Sequence, residues 1–240
     1  MENKFYKGWQ IGITYEAEDE RGVNLNKMLM LLDEMAENGM NLLSLMMISY
    51  AYFDTMHDGL CWPVRNSKLE CIRDINCTNA QKETEFVSGV IEEAEKRGIG
   101  IQLFTNLGIY NPERVRLSYL NAFEQVNKNN DKYKWLFCPD TPGAWDLEKD
   151  EITDLLESYN HKNVKSIGYE RLSYAGGSCF CDFSKIAFTK DTRLDMTGFS
   201  RGDPVFEQWK VSNITNKLKS LNDSIRAIRP DIMIMSLIHI

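Results

Sequence analysis

Short apolar runs alternate with amphipathic stretches along this chain, and they predict elements in the order β, α, β, α, β, α, β, α, β. Ile11 to Tyr15 reads as a short strand that ends in an acidic loop, Glu16 to Glu20. Asn24 stands where a helix cap belongs, before Met28, Leu31, Leu32 and Met35 on one helical face. Gly39 follows as the glycine that commonly ends a helix. Asn41 to Ile48 is nearly continuous apolar sequence, as expected of a strand buried on both faces. Phe86, Val87, Val90, Ile91 and Ala94 predict a second helix ending at Gly98, and Ile99 to Thr105 a third strand. Asp146 to Tyr159 reads as a third crossover helix, Val164 to Glu170 as the fourth strand, and Ile232 to Leu237 as the fifth. Between the last two, Asp203-Pro204 opens a long helix carrying Phe206, Trp209, Ile214, Leu218, Leu221, Ile225 and Ile228 at three-and-four spacing, with Pro230 after it.

Two segments break this rhythm. Ser49 to Thr78 is a long irregular insertion that holds Tyr50, Tyr52, His57, Asp58, Trp62 and Arg65, and its aromatic content favours a folded, functional loop. Pro112 to Trp135 reads as an elaborated loop with a short helix.

Strands alternating with helices of this size imply parallel pairing through right-handed crossovers. That leaves a doubly wound sheet or a (β/α)8 barrel. No glycine-rich phosphate loop follows the first strand, where a dinucleotide fold carries one, so the barrel is preferred. The expectation is one TIM-type (β/α) barrel domain over residues 1–240, incomplete at about five βα units, with its C-terminal strands missing.

Composition narrows the function classes. The 240 residues carry a formal net charge of −7 without a basic run, which excludes an ordinary nucleic-acid partner. Met1 to Trp9 has no apolar leader core and no later run is long enough to span a bilayer, so the expectation is a cytoplasmic chain without a membrane partner. In that compartment six cysteines point to reduced thiols or a metal, not a disulfide framework. Five tryptophans suit stacking on flat ligands such as sugars, although aromatic rings more often fill a core.

The chemistry concentrates in Ser166-Ile-Gly-Tyr-Glu170, followed beyond Gly176-Gly177 by Cys179-Phe-Cys181-Asp-Phe-Ser184. The first run delivers one carboxylate at the C-terminal end of a strand, the end at which barrel enzymes place their catalytic groups. Cys138, Cys179 and Cys181 offer three thiols for a structural zinc, which wants four ligands in a tetrahedron. Ser184 is a poor substitute for the fourth, so Cys61, Cys71 or Cys77 would have to supply it; otherwise the thiols pack as small apolar groups.

Around Glu170 the sequence resembles the barrel glycoside hydrolases, most closely the family 42 β-galactosidases. That family carries a Cys-Pro-Asn/Ser-Ser-Pro segment before its third crossover helix, matched here by Cys138-Pro-Asp-Thr-Pro142. Its fourth strand ends in Asn-Glu, matched by Tyr169-Glu170, and a Cys-Tyr-Cys-x-x-Cys run and a phenylalanine follow, matched by Cys179-Phe-Cys181-Asp-Phe-Ser184 and Phe188. The resemblance covers Trp135 to Phe188 and departs from the family at Tyr169, in place of asparagine, and Ser184, in place of the third cysteine.

It implies a glycosidase with Glu170 as general acid/base and no required cofactor, acting on a carbohydrate substrate. Such hydrolysis needs two carboxylates, about 5 Å apart for retention and roughly 6.5–9.5 Å for inversion. The family nucleophile lies on a seventh strand that this chain does not reach, so Glu16, Asp54 and Asp58 are the remaining candidates. Tyr15, Glu16, Tyr50, Trp62, Arg65, Asn106, Tyr169, Arg171 and Tyr174, at or just after strand ends, are the candidate substrate-binding residues. His57, His161 and His239 read as structural or solvated. Two rivals stand beside this reading: a non-catalytic or truncated carbohydrate- or partner-binding barrel, and a metal-dependent sugar-processing barrel enzyme. An open barrel would also expose sheet edges that a homo-oligomer could cover.

Overall fold

The structure is a computed structural model that describes residues 6–12, 25–49, 59–73, 86–106, 110–170, 174 and 178–237. In chain order its elements are β1 (Gly8–Gly12), α1 (Leu25–Glu37), β2 (Leu42–Met46), β3 (Ile48–Ser49), β4 (Gly59–Leu60), α2 (Phe86–Lys96), β5 (Gly100–Asn106), α3 (Pro112–Val115), β6 (Glu124–Val126), β7 (Lys132–Phe137), α4 (Pro142–Ser158), β8 (Val164–Glu170), α5 (Asp182–Thr192), α6 (Pro204–Ile228) and β9 (Met233–Leu237). Three-residue and six-residue 3-10 turns lie at Met196–Gly198 and Ser67–Ile72.

Five strands form one sheet in the order β1-β2-β5-β8-β9, every neighbouring pair parallel. Spatial order equals chain order, with a helical crossover between consecutive strands. A doubly wound sheet reverses its order at a switch point; this sheet does not, and the progression is that of a (β/α) barrel. Among the described residues no helix is long and apolar enough to cross a membrane.

The two sides of the sheet differ in chemistry. Leu43, Leu45, Ile101, Leu103 and Ile167 have no exposed surface and pack in one core with Met28, Leu32 and Met35 of α1 and Val90, Ile91 and Ala94 of α2. On the opposite side Gln10, Ser44, Gln102 and Ser166 fall in one transverse register row. The helical side thus supplies the hydrophobic stabilisation, and the other side is polar at mid-strand.

At the N-terminal ends of the strands, short polar links close the loops. Asn163 Nδ2 donates to the carbonyls of Ile91 and Ile99 at 3.1 and 2.9 Å. Arg229, 7% exposed, donates to Asn160, His161 and Val164 and pairs with Asp231 at 3.0 Å. These contacts saturate backbone carbonyls at strand and helix ends that would otherwise be buried without partners.

The structure departs from the sequence expectation in several places. β1 lies at Gly8–Gly12, three residues before the expected start, and residues 13–24, with the expected cap, lie outside the described residues. α4 begins at Pro142 and not at Asp146, with Thr141 as the extended residue before it and proline in its first turn. Within Pro112 to Trp135 the chain folds an antiparallel hairpin, β6 with β7. Its turn is set by Asn127, whose Oδ1 accepts from the Asn129 and Asp131 amides at 2.8 and 3.0 Å, and by Asn130 at φ 66°. α5 was not expected, because it buries only Ser184 and Phe188 and leaves Ile186 exposed, too little for an apolar period. Rings hold it instead: Phe188 lies 5.1 Å from both Phe199 and Trp209, and Trp209 Nε1 donates to Asp191 at 3.0 Å.

α4 also buries acids where a core helix usually has apolar residues: Glu148 is 1%, Glu151 0% and Asp154 3% exposed. Glu151 accepts from Thr105 Oγ1 of β5 and from the Tyr110 hydroxyl at 2.6 Å. Burial pushes its carboxyl up from 4.5 to about 7 against the lowering effect of those two hydrogen bonds. Burial, joined by the charge of Glu151, raises Glu148 as well. The folded protein therefore holds the Glu151 proton more tightly than the unfolded chain. Its contribution is fully present below pH 4.5 and is lost as the pH rises toward 7.

Glu151→Gln, which keeps the side chain neutral, should flatten the fall in stability between about pH 5 and pH 8 and raise stability at neutral pH by on the order of 3 kcal/mol. Urea denaturation at both pH values checks this, and an unchanged slope would contradict it. At the start of α4, a Cβ on Gly143 would lie 2.4 Å from the Ala122 amide nitrogen and 2.5 Å from the Asn121 carbonyl carbon. Since both are backbone atoms, Gly143→Ala should destabilise the protein by roughly 1–3 kcal/mol, read as a lowered thermal midpoint.

Candidate active site and the thiol cluster beside it

Side-chain direction at the C-terminal strand ends can be read from two anchored residues. Thr105 of β5 hydrogen bonds to Glu151 of α4, and the Tyr169 hydroxyl of β8 donates to Asn222 Oδ1 of α6 at 2.6 Å. Both side chains therefore point into the helical layer. Their successors, Asn106 and Glu170, close the two strands as register partners and point to the opposite side. Strands in a sheet are about 4.8 Å apart, so the two side chains stand next to each other. Asn106 is 2% exposed, and its Oδ1 is buried without a hydrogen-bond partner among the described residues.

A register irregularity produces this juxtaposition. Ile101 pairs with Val164, but Gln102 pairs with Ser166, so Lys165 is an extra residue on β8. Val164 and Ser166 are buried on opposite sides of the sheet, and Lys165 is exposed between them. Without that extra residue, Asn106 would face Tyr169 and Glu170 would lie on the helical side.

The expected binding residues separate into groups. Tyr15, Glu16, Tyr50 and Arg171 lie outside the described residues, as do Asp54, Asp58, His57 and His239. Asn106 joins Glu170 at the strand ends. Four others are placed differently from the expectation. Trp62 is fully buried on the helical side, its Nε1 donating to Asp154 Oδ2 of α4 at 2.7 Å, so it has no face on which a sugar can stack. Arg65 lies beside the same helix, its amide donating to Asp154 Oδ1 at 2.8 Å and its guanidinium to the Glu157 carbonyl at 3.2 Å. Tyr169 faces α6, on the side of the sheet opposite to Glu170. Tyr174 donates its hydroxyl to Asp140 Oδ2 at 2.9 Å and packs against Trp209, with ring centroids 5.9 Å apart.

Asp140, which the sequence reading did not single out, is a hub at the rim. Its carboxylate is 1% exposed. Besides Tyr174 it accepts from Ser184 Oγ at 2.6 Å and from Asn213 Nδ2 at 2.6 Å, and it pairs with Lys217 at 3.3 Å. The only sequence signal for it was its place between Cys138 and Pro142.

Cys138, Cys179 and Cys181 do come together, their sulfurs all within 4.8 Å of one another. Each sulfur accepts a backbone amide: Asp140 N on Cys138 at 3.3 Å, Val126 N on Cys179 at 3.4 Å and Ser184 N on Cys181 at 3.5 Å. Burial pushes the Cys138 thiol well above its ordinary range, whereas hydrogen bonds from Cys138 and Cys179 hold Cys181 below it. Three sulfurs in one shell, each aimed at by a polarised N–H, fit the donor set of a structural zinc site. Cys61 is not the fourth donor, since it lies in the core and its thiol faces the Gly59 carbonyl. Cys71 sits on the 3-10 turn with its thiol on the Lys68 carbonyl, and Cys77 lies outside the described residues. The cluster joins the β6–β7 hairpin, the residues just before α4 and the residues just before α5.

No family model matches the chain, and no curated protein matches it. Solved structures do, at low identity. The glycoside hydrolase domain of PgaB (BpsB) from Bordetella bronchiseptica superposes with a TM-score of 0.69 at 12% identity, over 97% of this chain and 65% of that one. A GH20 exo-β-N-acetylglucosaminidase from Vibrio harveyi gives 0.61 at 11% identity, over 96% of this chain and 35% of that one. An α-galactosidase from Lactobacillus brevis gives 0.58 at 12% identity, over 98% and 27%. The chain thus spans between about a quarter and two thirds of the length of these structures. What they share with it is the fold: a (β/α) barrel of the type glycoside hydrolases use.

Proposed function

We propose that this protein is a glycoside hydrolase in which Glu170 is the general acid/base and the substrate is a carbohydrate. The observation that carries the proposal is the position of Glu170. It closes β8 on the non-helical side, beside a buried Asn106 whose side-chain Oδ1 has no hydrogen-bond partner among the described residues. In barrel enzymes that end of the strands is where chemistry is done, and the neighbouring structures with this fold are glycoside hydrolases. Fold likeness by itself assigns no reaction, so the proposal rests on Glu170 and its surroundings.

In this proposal the carboxylic acid of Glu170 protonates the leaving glycosidic oxygen, and its carboxylate then takes a proton from the incoming water. Asn106 orients a sugar hydroxyl next to it, accepting at the Oδ1 that has no hydrogen-bond partner among the described residues. Among the described residues Glu170 is the only acidic one in the five strands of the main sheet. The second carboxylate would then come from a loop, and Glu16, Asp54 and Asp58 remain the candidates. The family 42 likeness from Trp135 to Phe188 supports the assignment of Glu170. Galactoside preference is no part of the proposal, since Tyr169 faces the helices.

The same scarcity of acids favours one alternative, a carbohydrate-binding protein without turnover. The expected result for the hydrolase is cleavage of at least one member of a nitrophenyl glycoside panel, with kcat/KM lower by roughly 10²-fold or more in Glu170→Gln. Turnover equal in wild type and variant would remove Glu170 from the mechanism. Saturable sugar binding without turnover, unaffected by the substitution, would establish the binding protein instead.

A further inference from the structure

On the helical side of β5, one hydroxyl hydrogen stands between two acceptors. Tyr110 Oη lies 2.6 Å from Glu151 Oε2 and 3.2 Å from the backbone carbonyl oxygen of Asn106, the last residue of β5. Thr105 Oγ1 donates to the other carboxyl oxygen, Glu151 Oε1. Thr105, Asn106, Tyr110 and Glu151 are all buried, so water does not stand in for a missing partner. The number of hydrogens then decides the pattern. A neutral Glu151 brings one of its own: its carboxyl O–H donates to Tyr110 Oη, the phenol donates to the Asn106 carbonyl, and Thr105 donates to Oε1. An ionised Glu151 has none to give. Its charge draws both hydroxyls, which takes the phenol hydrogen away from Asn106.

We propose that Glu151 is a proton-dependent positioning residue for the end of β5, holding the Asn106 carbonyl through Tyr110 when neutral and releasing it when ionised. The proton passes to and from water, and no bond other than O–H is made or broken. The consequence for a sugar rests on the reading of Asn106 as the residue that orients a hydroxyl beside Glu170: a peptide freed at its carbonyl places Oδ1 less firmly. The groups packed around Glu151 set the direction of its titration. On α4 itself, Glu148 is buried with Oε2 unpartnered among the described residues, and burial and the charge of Glu151 keep it neutral. Asp154 is taken up by the Trp62 indole and two backbone amides. From the segment after β5, Tyr110 and Tyr119 are phenols that burial holds protonated. Tyr119 donates to Asp150, which pairs with Lys68 of the Ser67–Ile72 turn at 3.8 Å. Lys217 of α6 acts on Glu148 and pairs with Asp140. Among the described residues no cation pairs with Glu151, so burial dominates and the change falls at about 7, neutral below and ionised above.

The Asn106 carbonyl carbon is the readout, because it reports the hydrogen bond in the free protein whether or not the chain turns over a sugar. In the full chain labelled at its backbone carbonyls, that resonance should move upfield between about pH 5 and about pH 9, with its midpoint at about 7. Glu151→Gln keeps a donor toward Tyr110 and should hold the resonance at its acid position throughout. Tyr110→Phe should hold it at its alkaline position throughout. A purely structural buttress would not split the two variants in opposite directions. With a nitrophenyl glycoside that the chain cleaves, the ratio of wild-type KM to that of Glu151→Gln should rise roughly 3- to 10-fold over the same range, the equivalent of one hydrogen bond, with the kcat ratio unchanged. A carbonyl that does not titrate overturns the inference, and so does one that titrates alike in Glu151→Gln, because another group then drives it. A flat KM ratio beside a titrating carbonyl overturns the role at the sugar. Titration without cleavage of any glycoside supports the relay and counts against the hydrolase; cleavage without titration does the reverse. If Tyr110→Phe fails to fold, the comparison of wild type with Glu151→Gln decides alone.

Discussion

The pairing register of β5 with β8 governs what this fold can do. Side chains on a strand alternate, so a slip of one residue exchanges every inner position for an outer one. Here Thr105 and Tyr169 are tied to α4 and α6, and these ties commit Asn106 and Glu170 to the other side. The extra residue at Lys165 makes the commitment possible, because it reverses the alternation between Val164 and Ser166. The remaining architecture supports that placement. The apolar rows of β2, β5 and β8 seat the helices, and the helices hold the residues that fix the register.

The two ends of the strands are built differently. At the N-terminal ends, Asn163 and Arg229 bridge neighbouring loops through backbone carbonyls, which serves rigidity. At the C-terminal ends, the ties are side-chain clusters: the three thiols, the Asp140 carboxylate with its donors, and the ring group around Phe188 and Trp209. Long connections leave those ends, and their described parts seat Leu60, Trp62, Leu69, Tyr110 and Phe180 in the core. Cross-linking them by sulfur, carboxylate and aromatic contacts is a physical route to an ordered rim.

The buried acids of α4 belong to this economy of polar contacts. Asp154 gathers the Trp62 indole and two backbone amides, and so pins the stretch after β4 onto the helix. Glu151 joins β5 to Tyr110 in the same way. A carboxylate that accepts several hydrogen bonds can anchor irregular backbone where an apolar side chain could only cover it.

Much of the fold was legible along the chain. The parallel α/β alternation, β8 from Val164 to Glu170, the start of α6 at Asp203-Pro204 and the break at Gly39 all follow from local chemistry, as does a carboxylate at a strand end beside clustered thiols. Elements held by something other than a hydrophobic period were not: the β6–β7 hairpin rests on asparagine turn bonds, and α5 rests on rings from other segments. The individual binding residues were the least legible. Nothing local says that Trp62 and Tyr169 turn toward helices while Asn106 turns away, or that Asp140 gathers Tyr174, Ser184 and Asn213. The sequence by itself determined which groups were available and which segments would be strands. Only the tertiary structure decided which way each side chain faces, because facing depends on register, and register is set by partners far away in the chain.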